Sequence, residues 1–428
     1  MTKKEYLEIL SELKKIIVGT EWEGHLFAVG GCVRDSIMDD YPIKDVDLVV
    51  DLPNGGIEFA NWLCQNHYLV YEPVTYPTYG TAMFKLLKFP ELELEVVETR
   101  KEQYKDKESR NPDVVYGSLE EDCMRRDLTI NALYYDITNE KIIDLVGGMD
   151  DITNHIIKTP TDPDIIYDDD PLRMLRCCRF SGRYGWKIDE TAQLGIQRNV
   201  KRLEIITQER ITDEIIKSLM TAILPSMPFG HWEKYGLMDV MFPEFKERKQ
   251  KSFTNIKRHM NRLQTEFGDA LIPELYFAAM FKDDLGILKQ MKLSNAFVNL
   301  TEKIATSLNF MLYNVSDYNV RMFGVMFGEH TDLCIGFISA YIKAYTPGSV
   351  YDLWLKYFTD KVKELRKDGT MFDHMTSLPI DGNDIMEVFN LKPSKEIKTL
   401  LDVAWEYYYS HPKATKEDFI SFLYGITK

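Results

Sequence analysis

Apolar positions recur at helical spacing along residues 3–18, between lysines and glutamates, and predict an amphipathic helix at the start of the chain. A short apolar run, HLFAVGG, then ends in Gly30-Gly31, which predicts a strand, a tight turn and a helix over CVRDSIM. The β-branched KDVDLVV reads as the next strand, and a helix begun near Ile57 continues over Asn61–Leu69. Tyr79–Leu87 and Leu92–Thr99 read as paired strands, so residues 1–150 mix strands and helices as an α+β or α/β domain does. After about Ile152 strand signals fade. Helical periodicity marks 171–184, 190–201, 208–223, 254–266, 270–293 and 295–313, with Pro243, Pro273, Pro347 and Pro379 as breaks. No period of a repeat architecture is present.

Bulk composition narrows this picture only a little. A chain of 428 residues, 45% hydrophobic and 28% charged, predicts two to four globular domains and a core that needs no staples. The cysteines at 32, 64, 123, 177, 178 and 334 form no CxxC pair, and adjacent Cys177 and Cys178 are poorly placed to share a metal. Reduced, packed thiols are expected, as suits a cytoplasmic protein. The N-terminus has no signal core and no transit-peptide pattern, and no run reaches the roughly 18–20 apolar residues of a membrane helix. A soluble protein is the expectation. A formal net charge of −15 argues against indiscriminate nucleic-acid binding, yet leaves room for RNA where positive charge is gathered locally.

Positions that carry chemistry begin at Gly30-Gly31-Cys32-Val33-Arg34-Asp35. A glycine pair between strand and helix lets backbone N–H groups approach a phosphate, and Arg34 lies one turn further in; a turn that simply needs positive φ explains the glycines equally. Asp45 and Asp47 follow on the next strand, where i and i+2 share a face. Carboxylates held together repel unless a cation sits between them, and magnesium, which bridges carboxylates and nucleotide phosphates, meets that demand. Two such ions activate an attacking hydroxyl and stabilise a leaving pyrophosphate. In Glu91-Leu92-Glu93-Leu94-Glu95 the first two acids read as a wet strand face, and Glu95 is the candidate third catalytic carboxylate.

Arg125 and Arg126 suit a triphosphate, since guanidinium forks pair with phosphate oxygens. Asp127 and Asn131, a helical turn apart, are candidates for a ribose hydroxyl, and a charged helix start explains Asn131 as well. Asp170-Pro171 is a good helix start, with aspartate as N-cap and proline first. Arg173, Arg176 and Arg179 then recur every third residue, and three like charges in a row imply an anionic partner. Asp170 and Arg173 also present an acceptor beside donors. Cytosine and adenine both offer an exocyclic amino group next to a ring-nitrogen acceptor, whereas guanine and uracil put a carbonyl where the carboxylate sits. Arg210 and Glu214, at i and i+4, read as an intrahelical ion pair bracing the base-reading helix. Residues 246–262 stand out as basic in an acidic chain, and fit either RNA phosphates or a solvated helix face.

In their order and spacing these elements resemble the class II tRNA nucleotidyltransferase and bacterial poly(A) polymerase family. The matching pieces are GGCVRD with DVD, YGTAMF, EVVETRKEQY, EEDCMRRDLTINAL, DLVGG, DDPLRMLRCCRF and ERITDE, covering about 30–220; SLPIDGNDIM and LKPSKEIKTLL extend a weaker likeness to the C-terminus. The resemblance implies a polymerase-β-like head (1–150) followed by all-helical neck (151–222), body (223–375) and tail (376–428). It implies magnesium at Asp45 and Asp47, base selection by Asp170 and Arg173, triphosphate and sugar contacts from Arg125-Arg126-Asp127, and a hinge near Asp144–Gly148. The implied reaction is template-independent addition of CMP and AMP, from CTP and ATP, to the 3′ end of tRNA, with no membrane and no obligate protein partner. The region TYPTYGTAMFKL lacks the RRF-type segment of poly(A) polymerases, and RKEQYKDKESRNPDVVYG has the full length expected for complete CCA addition over CC-only or A-only addition. Asp169 stands where the family typically has glutamate, and no HD-type metal motif occurs in the C-terminal half. Outside enzymes, the competing reading is an inactive RNA-binding module that kept the fold, which the intact aspartates disfavour.

Overall fold

The computed structural model describes residues 1–38, 41–103, 113–244, 250–373 and 377–427. The chain divides into two compact units, one of Met1–Ile223 with Met227–Lys246, the other of Leu224–Ser226 with Glu247–Lys428.

In the first unit the N-terminal amphipathic pattern forms helix α1 (Lys3–Ile17), started by a capping box in which Thr2 and Glu5 bond each other's backbone N–H. Its apolar stripe, from Tyr6 to Ile17, packs on a sheet built from β1 (Leu26–Val29), β2 (Asp47–Val50), β3 (Val74–Tyr76), β4 (Thr81–Phe84), β5 (Leu94–Glu98), β8 (Leu133–Asp136) and β9 (Lys141–Asp144). The strands lie in the order β3-β4-β5-β2-β1-β8-β9. All neighbours are antiparallel except β2 and β5, which run parallel. The expected strand from 44 begins only at Asp47, and the helix expected to Leu69 is α3 (Gly55–Gln65). Helix α2 (Gly31–Ile37) follows β1 through the glycine turn, and β6 (Arg100–Gln103) pairs with β7 (Asp113–Tyr116) apart from the sheet. Residues 104–112, the centre of the loop expected after the second acidic strand, lie outside the described residues.

One face of the sheet packs on α1 and α3. The close fit is visible at Gly56, where a Cβ would stand 2.6 Å from the Gly80 carbonyl oxygen and 2.8 Å from the Val97 carbonyl carbon. The opposite face carries Phe27, Val29 and Val49 against Cys123 of α4 (Leu119–Met124), Tyr134 of β8 and Ala132 just ahead of that strand. Next come α5 (Gly148–Asn154), α6 (Pro163–Asp169), α7 (Leu172–Tyr184), α8 (Glu190–Asn199) and α9 (Gln208–Thr221). Strand signals do not vanish entirely in this stretch. β10 (Ile156–Ile157) and β11 (Lys187–Ile188) form a two-residue parallel ladder, too short to be read from periodicity. Asp144 closes the sheet end, its carboxylate accepting the backbone N–H groups of Val146, Gly147, Gly148 and Met149 at 2.9–3.1 Å. α10 (Ser226–Lys234) and α11 (Leu237–Met241) follow.

The second unit is helical: α12 (Gln250–Phe267), α13 (Pro273–Phe281), α14 (Asn295–Thr306), α15 (Asp317–Phe327), α16 (Thr331–Tyr345), α17 (Val350–Lys367), α18 (Gly382–Phe389), α19 (Lys395–Ser410) and α20 (Lys416–Thr427). The helix expected over 270–293 breaks after Phe281 and resumes as a 3-10 turn, Leu285–Gln290. His259 is fully buried between α12 and α16, beside the rings of Phe337, Tyr341 and Tyr345. Of the basic stretch 246–262, residues 246–249 lie outside the described residues. No helix among the described residues is long and apolar enough to cross a membrane, and the six cysteines are unpaired thiols, five of them buried.

Two outcomes follow for stability. Gly56→Ala forces a methyl into backbone that cannot give way, and is expected to cost about 1–3 kcal/mol, read as a lowered melting temperature. Burial holds His259 at about 3, below its ordinary 6.5. Between those values the unfolded chain binds a proton that the native chain does not, so stability is lost as pH falls below 6.5. His259→Leu is expected to flatten that acid slope in melting temperatures taken between pH 7 and 4.

Candidate active site

Strand alternation decides which side chains meet. In β2, Leu48 and Val50 enter the core beneath α1, while Val49 joins the opposite face, and Asp47 must share that face with Val49. In β5, Leu94 and Val96 face the α1 core, so Glu95 and Val97 point the other way. The parallel register sets Asp47 directly beside Glu95 and Val49 beside Val97. Both acids line a cleft of about 410 Å³ together with Arg125, Arg126, Asp170 and Arg173.

Asp45 is exposed in the stretch leading into β2, and is not part of that strand. Burial, with the nearby charges of Asp45 and Glu95, pushes Asp47 up to about 6 against the opposing pull of Arg126. The three carboxylates thus feel one another, and supply only hard oxygen donors. Among the described residues no three His, Cys, Asp or Glu side chains are gathered closely enough to hold a metal unaided. A divalent ion such as magnesium, which dehydrates reluctantly and is commonly held by one or two carboxylates plus nucleotide phosphates, fits such a partial set.

The paired arginines are held from behind by a carboxylate that the sequence reading passed over. Asp122, fully buried in α4, accepts Arg125 Nε and Nη2 at 3.0 and 2.6 Å on Oδ1. Its Oδ2 accepts Arg126 Nε and Nη2 at 3.1 and 2.8 Å and the Tyr134 hydroxyl at 2.7 Å. Burial alone would raise this carboxyl; the Arg126 and Arg125 guanidiniums more than reverse that and hold it well below the carboxylate range. The signal was present: Asp122 precedes Arg125 and Arg126 by three and four residues, one helical turn.

Asp127 and Asn131 are not on a helix as expected. Helix α4 ends at Met124, and Asn131 closes a 3-10 turn, Thr129–Asn131. Asn131 Nδ2 donates to Asp127 Oδ1 at 3.0 Å, and its own oxygen accepts from Arg34. Asp127 lines the cleft, and Arg176 Nε donates to its Oδ2 at 2.8 Å. Burial would raise Asp127, yet Arg176 and Asn131 bring it to about 2. Arg34, offered as a phosphate ligand, is buried and committed elsewhere. It donates to Asp35 at 2.8 Å and lies over the Phe180 ring, outside the cleft lining. Buried beside a partner of opposite charge, it acts as a tie between α2 and α7. Gly30, at φ 76°, and Gly31 make the turn into α2, and Gly30 lies close to Arg126: a Cβ there would stand 3.7 Å from Nη1.

The base-reading candidates sit at the junction of α6 and α7. Asp170 Oδ1 accepts the Leu172 N–H at 3.1 Å, as a capping residue does, and Oδ2 accepts from Arg210 at 2.8 Å. A carboxylate retains further lone pairs for a ligand. Arg173 is largely buried, donates to the Ile166 carbonyl at 3.3 Å and lines the cleft beside Asp170. The anionic partners implied by the arginine ladder are supplied by the protein: Asp127 for Arg176, and Glu214 for Arg179 at 2.5 Å. Arg179 is buried and outside the cleft lining. The expected Arg210–Glu214 pair within α9 is therefore replaced by two others, because α9 packs along α7, where Glu214 meets Arg179, while Arg210 reaches Asp170 between α6 and α7. A double-mutant cycle is expected to give about 1–3 kcal/mol of coupling for Arg179 with Glu214, and under about 0.5 kcal/mol for Arg210 with Glu214, in chemical unfolding.

Known proteins match this chain in sequence and in fold. The family described as "Poly A polymerase head domain" matches residues 26–158, and "Probable RNA and SrmB-binding site of polymerase A" matches 185–249. The tRNA nucleotidyltransferase cca1 of Schizosaccharomyces pombe is 25% identical, over 99% of this chain and 95% of its own. The nucleotidyltransferase lcsQ of Purpureocillium lilacinum is 32% identical over 47% of this chain, a match that spans only 37% of that protein. The crystal structure of the Bacillus stearothermophilus CCA-adding enzyme in complex with CTP shares the fold, with a TM-score of 0.72 at 21% identity over 99% of this chain and 97% of that one. A head sheet that carries paired acids beside an arginine-lined cleft, with these matches along nearly the whole chain, places the protein in the class II CCA-adding enzyme and poly(A) polymerase family of nucleotidyltransferases.

Proposed function

We propose that this enzyme adds CMP and AMP, drawn from CTP and ATP, to the 3′ end of tRNA and so builds or repairs a CCA terminus. The observation that carries the reading is one cleft lined by Asp47 and Glu95, by Arg125 and Arg126, and by Asp170 with Arg173. The full-length match to a tRNA nucleotidyltransferase supports tRNA as the acceptor.

In this reading the terminal hydroxyl oxygen of the acceptor bonds to the α-phosphorus of the nucleotide. The bond to the β-phosphate oxygen breaks, pyrophosphate leaves with the charge, and the hydroxyl proton passes to solvent. Magnesium, when bound, supplies charge neutralisation at the reacting phosphate and a more acidic hydroxyl. Asp45 and Asp47 would hold it, with Glu95 alongside. Arg125 and Arg126 bind the triphosphate and take up charge that develops on the leaving group. Asp170 accepts the exocyclic amino group of cytosine or adenine while Arg173 donates to the adjacent ring nitrogen. Guanine and uracil present a carbonyl to the carboxylate and are turned away. The division into head (1–150), neck (151–222), body (223–375) and tail (376–428), with a hinge near Asp144–Gly148, belongs to the same proposal.

Because the matched head family takes its description from poly(A) polymerases, the deciding assay separates the two reactions. A tRNA lacking its terminal CCA is expected to gain two nucleotides with CTP alone and three with both nucleotides. Long A tracts on unstructured RNA would instead establish poly(A) synthesis. Asp45→Ala and Asp47→Ala are each expected to lower turnover by about 10²–10³-fold while tRNA binding persists. A parent protein that binds tRNA but shows no turnover would leave the fold as an RNA-binding module, and unchanged turnover in either variant would take that aspartate out of the chemistry.

A further inference from the structure

Asp122 has no exposed surface and cannot touch a nucleotide, yet among the described residues its carboxylate accepts from two arginines, a tyrosine and a backbone N–H. Besides the two arginines and Tyr134, it accepts the Arg100 N–H at 3.3 Å, and Arg125 Nε also donates to the Arg100 carbonyl at 2.8 Å. Arg126 Nε meets the Tyr134 hydroxyl at 3.1 Å, and its guanidinium lies over that ring. Each arginine therefore turns its Nε–Nη2 edge inward to one oxygen of the same carboxylate, while both side chains line the cleft. Two adjacent guanidiniums repel each other and, on long side chains, lose conformational freedom when a ligand orders them. A single buried anion between them removes both costs before any nucleotide arrives.

We propose that Asp122 is a positioning residue for phosphate recognition, holding Arg125 and Arg126 in one preset orientation so that CTP and ATP are gripped by their common triphosphate, independently of the base. This rests on the nucleotide-transfer reading above and adds a division of labour to it. Asp122 governs how tightly any nucleoside triphosphate binds, and Asp170 with Arg173 governs which. Tyr134 is part of the same brace, since its hydroxyl bridges Asp122 and Arg126.

The experiment measures calorimetric affinities for CTP, ATP and inorganic tripolyphosphate in magnesium buffer, with tRNA affinity and melting temperature alongside. Asp122→Asn keeps the shape and removes the charge. It is expected to weaken all three phosphate ligands by the same factor, about tenfold or more, with tRNA affinity unchanged. Tyr134→Phe, a gentler change, is expected to weaken the same three by about 2–10-fold, and it decides the matter should Asp122→Asn fail to fold. A folded variant that binds tripolyphosphate as the parent does would overturn the proposal, as would weakening of one nucleotide without the other. A parent protein that binds neither nucleotide would overturn the nucleotide-transfer reading as well, so the two failures are distinguishable.

Discussion

Like charges a strand's width apart are the constraint from which this molecule's first unit is organised. Parallel strands lie about 4.8 Å apart, and β2 and β5 set Asp47 beside Glu95 with Asp45 close by. Burial and mutual repulsion push Asp47 up to about 6, so the arrangement is costly unless positive charge offsets it. Everything around the cleft answers that demand. Arg126 lies close enough to lower Asp47, the arginine pair follows from α4, and the donors are hard oxygens of the kind magnesium accepts. The hydrophobic sheet face beneath α1 exists to keep these strands in register, since a slip of one residue would turn the acids into the core.

A second layer of carboxylates then fixes the cations. Asp122 holds Arg125 and Arg126, Asp127 holds Arg176, Glu214 holds Arg179, and Asp35 holds Arg34. The chain's acidity has a local use here. An arginine tied on one side to a buried acid presents its other side in one direction, and so pays less ordering entropy when a phosphate or a base arrives. The Asp170–Arg210 contact does the same for an acceptor. In the proposed reading, base choice and phosphate binding then fall to rigid elements, with α7 held against α9 by the Arg179–Glu214 pair and by packing.

Much of this was legible because the relevant signals are local. The two-residue alternation that put Glu95 on the face away from the apolar residues is the same alternation that sets it beside Asp47, and the capping pattern at Asp170-Pro171 reports the start of α7. What was not legible depended on partners distant in sequence. Arg210 and Glu214 looked like each other's partner at i and i+4, yet each found a better one on α6–α7. Three arginines in a row implied an anion from outside, whereas the fold supplies Asp127 and Glu214. Arg34 was read as a ligand because a short helix start can bind phosphate, but its burial against Asp35 and Phe180 is a tertiary fact. Asp122 was passed over for a different reason: an acid near two arginines reads as a surface pair until its complete burial is known.

Nucleotide transfer in this molecule requires the acids, the arginines and the base-reading pair to form one working site. A crystal structure of the protein with CTP and magnesium is the most direct test. The triphosphate is expected against Arg125 and Arg126, the cytosine amino group facing Asp170, and ion density at Asp45 and Asp47. A nucleotide bound elsewhere, or seated with its base away from Asp170 and Arg173, would contradict that expectation.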